Sequence, residues 1–160
     1  MIHLEKFSEK HLSKTYNWML NTELRRNFLF RRIISSDDHQ RWFQNYLLDE
    51  TQLINAVYFE NEHIGNVGLK NIDKTNNNSE TWIYIGESNM KGKGIGPKVY
   101  SEFIKSTDFS FHKIYANIAE FNTSSIKMYQ KSGFVLEGLF KDQLFFENKY
   151  HNLLRFALYL

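Results

Sequence analysis

The stretch "MKGKGIGPKVY", residues 90–100, joins a strand-like apolar run to the apolar residues of an amphipathic helix. Glycines let the backbone approach an anion closely and adopt angles that a side chain would forbid. The first amides of a helix lack partners within the helix and lie at the positive end of its dipole. The stretch therefore favours a phosphate site, with the amides of residues 92–96 as donors and the charges of Lys91, Lys93 and Lys98 nearby.

Two common phosphate loops do not fit this stretch. A Walker loop needs a serine or threonine after its Gly-Lys pair, whereas the loop here ends in Gly96-Pro97-Lys98. A dinucleotide-binding loop needs glycine at the position of Pro97 and an early βαβ unit. Pro97 instead fits the first position of a helix. Taken alone, the pattern also fits an ordinary strand-to-helix turn with solvated lysines.

The spacing of apolar residues along the rest of the chain predicts the order β–α–α–β–β–β–α–β–α–β–β. Two helices begin after Ser8 and near Ser36, a third follows the glycine loop, and a fourth runs from Asn122 to a terminating Gly133. This order predicts an α/β or α+β domain that comprises residues 1–160, with helices on the faces of a mixed sheet.

The composition narrows the functional classes. Hydrophobic residues make up 42% of the 160 residues and aromatic residues 16%, which predicts a core rich in Phe and Tyr. A net charge of +2 gives no general argument for binding nucleic acid or membranes. The absence of cysteine excludes disulfides, thiolate metal sites and a covalent cysteine intermediate. Without an apolar run of a signal peptide or a membrane span, we expect a cytoplasmic protein.

Two segments form an ordered pair of motifs. Lys91, Gly94 and Gly96 fit the pattern Gln/Arg-x-x-Gly-x-Gly/Ala, with lysine in place of the usual first residue. Further on, "NTSSIKMYQKSGF" fits Asn-x-x-Ala-x-x-x-Tyr-x-x-x-Gly-Phe, with Ser125 where alanine is usual. These segments resemble the coenzyme A pyrophosphate loop and a second block of the GNAT superfamily of N-acetyltransferases. The ending "LEGLFKDQLFFENKYHNLLRFALYL" resembles the RimJ/RimL-like branch.

This resemblance implies a mostly antiparallel central sheet of about seven strands with four helices on its faces. It implies an enzyme that transfers acetyl from acetyl-CoA directly to an amine, with no metal. The residues that it assigns to the cofactor are Ile83, Ile85, Lys91, Gly92, Lys93, Gly94, Ile95, Gly96, Asn122 and Ser125. Ile83 and Ile85 would act through their backbone, which would pair with pantetheine like an added strand, and their side chains equally fit plain core.

The resemblance makes Tyr129 the general acid that protonates the departing thiolate. On a helix, Asn122 and Tyr129 lie about 20° apart around the axis and about 10 Å along it, so one face can hold pantetheine and a phenol. The alternative for Tyr129 is a packed amphipathic residue. For the base, Glu80 ranks first, although a glutamate that ends a polar turn is equally compatible with the sequence. His39 is the second candidate because its ordinary pKa suits the task.

The acceptor amine is expected to contact the first two helices and the segment that joins them. Four arginines of this segment would favour an anionic acceptor if they face the cleft: Arg25, Arg26, Arg31 and Arg32. The stretch with His39 and Trp42 resembles the second helix of nucleotide-sugar N-acetyltransferases, and Trp42 equally fits the core.

We therefore expect four residues to bind the acceptor: Arg25, Arg31, His39 and Trp42. The expected acceptor is a nucleotide-linked amino sugar, such as a UDP-4-amino-6-deoxy sugar, which is acetylated on its amino group. A protein N-terminus or a small amine, polyamines included, is the alternative. A polyamine would be repelled by the arginines, although the C-terminal half also resembles polyamine acetyltransferases. A catalytically silent CoA-binding module is the alternative of another class. For the assembly, a homodimer is the first expectation.

Overall fold

The computed structural model describes residues 1–107 and 111–160. Within these residues the strands are β1 (Ile2–Lys6), β2 (Leu53–Phe59), β3 (Glu62–Asp73), β4 (Asn78–Ile85), β5 (Lys113–Ala119), β6 (Val135–Phe146) and β7 (Lys149–Tyr159). The α-helices of the same residues are α1 (Leu12–Met19), α2 (Thr22–Asn27), α3 (Ser36–Leu47), α4 (Ile95–Ser106) and α5 (Thr123–Lys131). Short 3-10 turns, Glu9–His11 and Ser88–Met90, precede α1 and the glycine loop.

All seven strands form one sheet in the order β1-β2-β3-β4-β5-β7-β6. Neighbouring strands are antiparallel except β4 and β5, which are parallel. The connection through α4 returns the chain from the end of β4 to the end of the sheet at which β4 began, where β5 starts. The predicted mixed, mostly antiparallel sheet is therefore confirmed.

The described residues contain five α-helices instead of the predicted four. The additional helix, α2, has only six residues, and its sequence TELRRN carries no repeating apolar face. It is stabilised at its start by Asn21, whose side chain accepts a hydrogen bond of 3.0 Å from the backbone of Leu24. None of the helices in the described ranges is long and apolar enough to cross a membrane.

The pairing between β4 and β5 is short. Only Asn78, Ser79 and Glu80 of β4 have partners in β5, and these partners are the first three residues of that strand. Beyond Glu80 the two strands diverge, although β3 and β7 continue to pair with them on their outer sides. The sheet therefore opens at its centre, toward the C-terminal ends of both strands.

Alternating side chains of the strands divide the core between the two faces of the sheet. On one face, Ile83 and Ile85 of β4 pack in the cluster that contains the buried residues of α4 and α5. On the other face, Trp82 and Tyr84 pack with residues of α1 and α2. A third cluster joins α3 to β2 through Phe43, Tyr46 and Ile54.

Polar side chains lie buried on the face covered by α1. His11 and His63 are buried with their ring centres 5.0 Å apart. His11 Nε2 lies 3.2 Å from the hydroxyl of Tyr58, and His63 Nε2 lies 2.8 Å from Oδ1 of Asn66. Burial lowers the pKa of both histidines, so both are neutral at physiological pH.

The long hairpin β6–β7 carries apolar side chains into solvent. Its strand β6 forms the edge of the sheet, and most of its residues are exposed. The exposed large apolar residues of the hairpin are Val135, Leu136, Leu139, Phe140, Phe145, Tyr150 and Tyr159.

Candidate active site

A cleft of about 680 Å³ lies where β4 and β5 diverge. The glycine loop and α5 line it on one face of the sheet, and residues of α2 line it from the other. A cleft of this size, with both apolar and polar groups, is typical of a site for a small molecule or cofactor.

The glycine loop presents the N-terminus of α4 to this cleft. Gly94 immediately precedes the helix with φ of +68°, and a Cβ at this position would meet nothing within 4 Å. Glycine is therefore favoured here by the left-handed backbone conformation and not by lack of space. The helix begins at Ile95, so Pro97 occupies its third position and not the predicted first one. Its missing N–H still falls in the first turn, where amides have no helical partner.

Gly96 has a different role from Gly94. A Cβ on Gly96 would lie 2.5 Å from Cγ of Met128, so glycine allows α4 and α5 to pack closely. This contact places the start of α4 beside α5, whose residues Lys127 and Lys131 also line the cleft.

Asn122 caps α5. Its Oδ1 accepts hydrogen bonds from the backbone N–H of Ser125 at 3.2 Å and from the hydroxyl of Ser124 at 3.1 Å. The carbonyl end of this side chain is therefore engaged within the helix start, and a ligand would meet mainly its amide end.

Tyr129 is buried in the core and also lines the cleft. Its hydroxyl accepts a hydrogen bond of 2.8 Å from the hydroxyl of Tyr100. Burial raises the pKa of Tyr129 well above its usual value, and the negative charge of Glu80 adds to this effect. Tyr129 is therefore a protonated phenol at physiological pH.

Glu80 lies on the last paired rung between β4 and β5, opposite Tyr115. Its Oε1 lies 3.2 Å from Nζ of Lys70, and its Oε2 accepts a hydrogen bond of 3.1 Å from Asn71. The sequence is compatible with a glutamate that ends a polar turn, whereas Glu80 lies inside β4, as its third residue, and lines the cleft. Each carboxylate oxygen keeps a lone pair that can accept a further proton or hydrogen bond.

An aromatic wall forms the side of the cleft below α2. The rings of Trp82 and Tyr84 are parallel with centres 5.9 Å apart, and Phe28 packs edge-on against both at 6.3 Å and 5.4 Å.

Two ion pairs hold α2 over this wall. Glu23 pairs with Lys91 of the glycine loop at 3.3 Å, and Arg26 pairs with Glu147 at the β6–β7 turn at 2.7 Å.

The structure brings together the predicted catalytic and cofactor residues, with one exception. The residues that line the cleft are Glu80, Ile83, Ile85, Lys91, Gly92, Gly94, Ile95, Gly96, Asn122, Ser125 and Tyr129. The exception is Lys93, which lines a neighbouring depression together with Lys98 and the first two residues of the chain.

The predicted acceptor residues do not line this cleft. The buried ring of His39 stacks between Tyr16 and Trp42, and Trp42 packs against Phe7 and Tyr46 in the core beneath α3. Burial lowers the pKa of His39. The aromatic spacing on α3 therefore corresponds to a packing face.

The arginines also lie outside the cleft. Arg25 is half-buried, and its Nη1 has no hydrogen-bond partner among the described residues. Arg26 is held by Glu147, with its guanidinium 4.3 Å from the ring centre of Phe121. Arg31 and Arg32 are exposed in the segment between α2 and α3.

Several residues of the cleft were missed by the sequence analysis. Trp82 and Tyr84 alternate with Ile83 and Ile85 in "TWIYIGE", and this alternation was a usable signal for a second, aromatic face. Glu23 of α2 and Phe28, which directly follows this helix, gave no such signal because α2 has no apolar periodicity.

Comparison with known proteins identifies the family. A family model described as an acetyltransferase (GNAT) domain matches residues 2–135. The spermidine N(1)-acetyltransferase of Vibrio cholerae serotype O1 is 30% identical over 97 residues, 58% of this chain and 54% of that protein. A probable spermine N(1)-acetyltransferase of Bacillus subtilis subsp. natto is 29% identical over 90 residues, 52% of this chain and 59% of that protein. Both matches thus span less than two thirds of the relative's length.

Solved structures agree with this fold. The spermidine N-acetyltransferase of Vibrio cholerae, in complex with CoA and spermine, superposes with a TM-score of 0.91 at 22% identity, covering 99% of this chain and 95% of that one. The same protein has been solved as a dodecamer, which superposes with a TM-score of 0.82 at 22% identity, covering 99% of this chain and 93% of that one. These relatives are polyamine acetyltransferases, so they do not support the expected RimJ/RimL-like or nucleotide-amino-sugar branch. The chain belongs to the GNAT acetyltransferase family and is an acetyl-CoA-dependent N-acetyltransferase.

Proposed function

We propose that this enzyme acetylates a primary amine of a polyamine such as spermidine. The observation that carries the proposal is the acceptor side of the cleft, which is lined by the carboxylates of Glu23 and Glu80 and by the aromatic rings of Phe28 and Trp82. Each carboxylate is paired with one lysine, which leaves an oxygen to accept from an ammonium. Carboxylates attract an alkylammonium, and aromatic faces bind both its charge and its methylene chain. The names of the two curated relatives support the same class of acceptor.

The other side of the cleft suits coenzyme A. The amides at the start of α4 would bind the diphosphate, and the charges of Lys127 and Lys131 would lie near its phosphates. The edge of β4 beyond Glu80 faces the gap left by β5, so its backbone groups are available to pantetheine. This arrangement would direct the thioester toward the hydroxyl of Tyr129.

The proposed reaction uses two groups of the protein. Glu80 accepts a proton from the acceptor ammonium, and the resulting amine attacks the thioester carbonyl carbon. The tetrahedral intermediate collapses with cleavage of the carbon–sulfur bond, and Tyr129 donates its proton to the sulfur. The nitrogen gives its second proton to the phenolate that this leaves on Tyr129, and Glu80 releases the first proton to solvent. The products are the acetylated amine and the free thiol of CoA.

The position of the arginines argues against the anionic acceptor that the sequence favoured. Arg31 and Arg32 are exposed outside the cleft, and Arg26 is neutralised by Glu147. No arginine is among the described residues that line the cleft. A nucleotide-linked amino sugar would therefore find no bidentate partner for its phosphates at this site.

A thiol-release assay with a panel of acceptors tests the proposal. With acetyl-CoA we expect release of CoA with spermidine or spermine, and far less with a UDP-4-amino sugar or a peptide with a free N-terminus. Release with the sugar nucleotide alone would refute the polyamine class, and release with the peptide alone would favour a protein N-terminus.

A variant of the aromatic wall identifies the acceptor side. Trp82→Leu is expected to raise the KM for spermidine about tenfold or more, because a cation–π contact and stacking area are lost. The KM for acetyl-CoA should stay within about twofold. Trp42→Leu is the matched control, since this tryptophan packs under α3 and does not line the cleft. An equal effect of both substitutions on the KM for spermidine would contradict the assignment.

We further propose that the chain assembles with copies of itself through the hairpin β6–β7. The hairpin exposes apolar side chains along the sheet edge, and an exposed patch of this kind on an edge strand is normally covered. The dodecameric structure of the Vibrio cholerae protein supports an oligomer larger than the expected homodimer.

A further inference from the structure

Three buried hydroxyl groups connect the sheet to the cleft. Thr81 of β4, Tyr100 of α4 and Tyr129 of α5 are all buried. The hydroxyls of Thr81 and Tyr100 are 3.2 Å apart, and those of Tyr100 and Tyr129 are 2.8 Å apart. At the far end, Thr81 donates a hydrogen bond of 3.0 Å to the carbonyl of Gly68.

The number of protons limits how these groups can bond. Each hydroxyl carries one proton, and the carbonyl of Gly68 can only accept. The proton of Thr81 is donated to that carbonyl, and the proton of Tyr100 is donated to Tyr129. The two hydroxyls of Thr81 and Tyr100 are then in contact at 3.2 Å without a proton between them. The proton of Tyr129 has no acceptor in the hydrogen bonds of the described residues, and Tyr129 is one of the residues that line the cleft. Tyr129 therefore accepts from the core and can donate into the cleft.

The hydrogen bond from Tyr100 to Tyr129 becomes important when Tyr129 transfers its proton to the sulfur. Donation would turn Tyr129 into a phenolate in a buried site, where an isolated charge is strongly destabilised. A hydrogen bond to a charged acceptor is roughly twice as strong as one between neutral groups. The donor of Tyr100 would therefore become stronger at the moment when the charge forms.

We propose that Tyr100 is a positioning residue of the acetyl transfer. Its hydroxyl orients Tyr129 with the proton directed into the cleft and stabilises the phenolate that remains after transfer. This inference rests on the proposed role of Tyr129 as the general acid. It predicts a function for the hydroxyl of Tyr100 that is separate from the packing of its ring, whose centre lies 5.4 Å from that of Phe134.

Tyr100→Phe separates these two contributions because it keeps the ring and removes the hydroxyl. We expect the rate constant of acetyl transfer, measured in a single turnover, to fall about 10- to 100-fold, which is less than the loss of a donor that contacts the reacting oxyanion directly. The Kd for CoA should change by less than about twofold. An unchanged rate would refute the proposal.

A double-mutant cycle shows whether Tyr100 acts through Tyr129. In a Tyr129→Phe background the acid is already absent, so adding Tyr100→Phe should cause no further loss of rate. If the two losses multiply, Tyr100 contributes independently and the inference is wrong. If Tyr129→Phe alone keeps the wild-type rate, the assignment of the acid fails, and the inference fails with it. If Tyr129→Phe is slow while Tyr100→Phe is normal, only the inference fails.

Tyr46→Phe is the matched control. Tyr46 is a buried tyrosine that accepts a hydrogen bond of 3.2 Å from the backbone of Ile54, away from the cleft. We expect a loss of stability similar to that of Tyr100→Phe, with the rate of acetyl transfer unchanged.

Should Tyr100→Phe not fold, 3-fluorotyrosine at position 100 replaces it. This stronger donor is expected to raise the single-turnover rate, and a wild-type rate would refute the inference.

Discussion

Gly94 and Gly133 have the same backbone requirement but lie at different places. Gly94 has φ of +68° beside the cleft, and Gly133 has φ of +89° beyond the end of α5. Each therefore adopts a conformation that costs an L-residue roughly 1–2 kcal/mol. Only at Gly94 do the neighbouring amides belong to the proposed diphosphate site.

We expect Gly94→Ala to raise the Kd for CoA about tenfold or more, because the strained residue displaces the amides at the start of α4. Gly133→Ala, the control, should lower the free energy of unfolding by about the same 1–2 kcal/mol and leave the Kd unchanged. Calorimetric titration with CoA and denaturant unfolding give the two quantities. A normal Kd for Gly94→Ala would place the diphosphate elsewhere.

Residues whose role depends on local sequence were predictable. Gly94, Asn122 and Tyr129 belong to short motifs whose backbone geometry follows from neighbours in the chain, and all three line the cleft. The arginines of the segment before α3 were not predictable in the same way. Whether their side chains point toward the cleft depends on the tertiary position of α2. Nothing in the local sequence indicates that Glu147 pairs with Arg26.

At the scale of elements, periodic apolar patterns predicted all seven strands and four of the helices. The missing element, α2, forms without an apolar stripe because Leu24 alone is buried and ion pairs hold both ends. A gap beside β4 is implied by the expectation that the backbone of Ile83 and Ile85 pairs with pantetheine. Its position at Glu80 could not be predicted, because strand register depends on partners distant in sequence.

The hairpin β6–β7 is the element expected to form the interface between copies. Leu139→Glu introduces a charge into an apolar residue of β6 that is 56% exposed, and it should shift the enzyme to smaller species in light scattering after size-exclusion chromatography. Leu48→Glu changes a leucine that is 86% exposed at the end of α3, outside the hairpin, and should leave the mass unchanged. Equal masses for wild type and Leu139→Glu would exclude this hairpin as the interface.

At the scale of the whole molecule, folding is linked to proton uptake. Burial lowers the pKa of His11, His39 and His63 in the folded protein, and the charge of His63 further lowers that of His11. The unfolded chain therefore binds protons near pH 6.5, whereas the folded protein binds them only at lower pH. The stability that the neutral rings contribute is complete above this value and is lost as the pH falls below it.

We expect the free energy of unfolding to be nearly constant between pH 8 and 7 and to fall below about pH 6.5, by up to ~1.4 kcal/mol per pH unit for each histidine. Denaturant titrations at pH 7.5, 6.5 and 5.5 measure this change. His39→Phe keeps an aromatic ring between Tyr16 and Trp42 and should reduce the slope. A constant free energy over this range would show that the histidines are not linked to folding.

The short contact between β4 and β5 has a consequence for what the sheet can bind. Two halves of the sheet, β1–β4 and β5–β7, share a ladder of only three pairs of residues at the centre. Beyond Glu80 the backbone of β4 keeps its bonds to β3 but has no partner in β5. An extended ligand that entered this gap would therefore meet free backbone groups in the middle of the sheet, where a continuous sheet offers them only at its two edges.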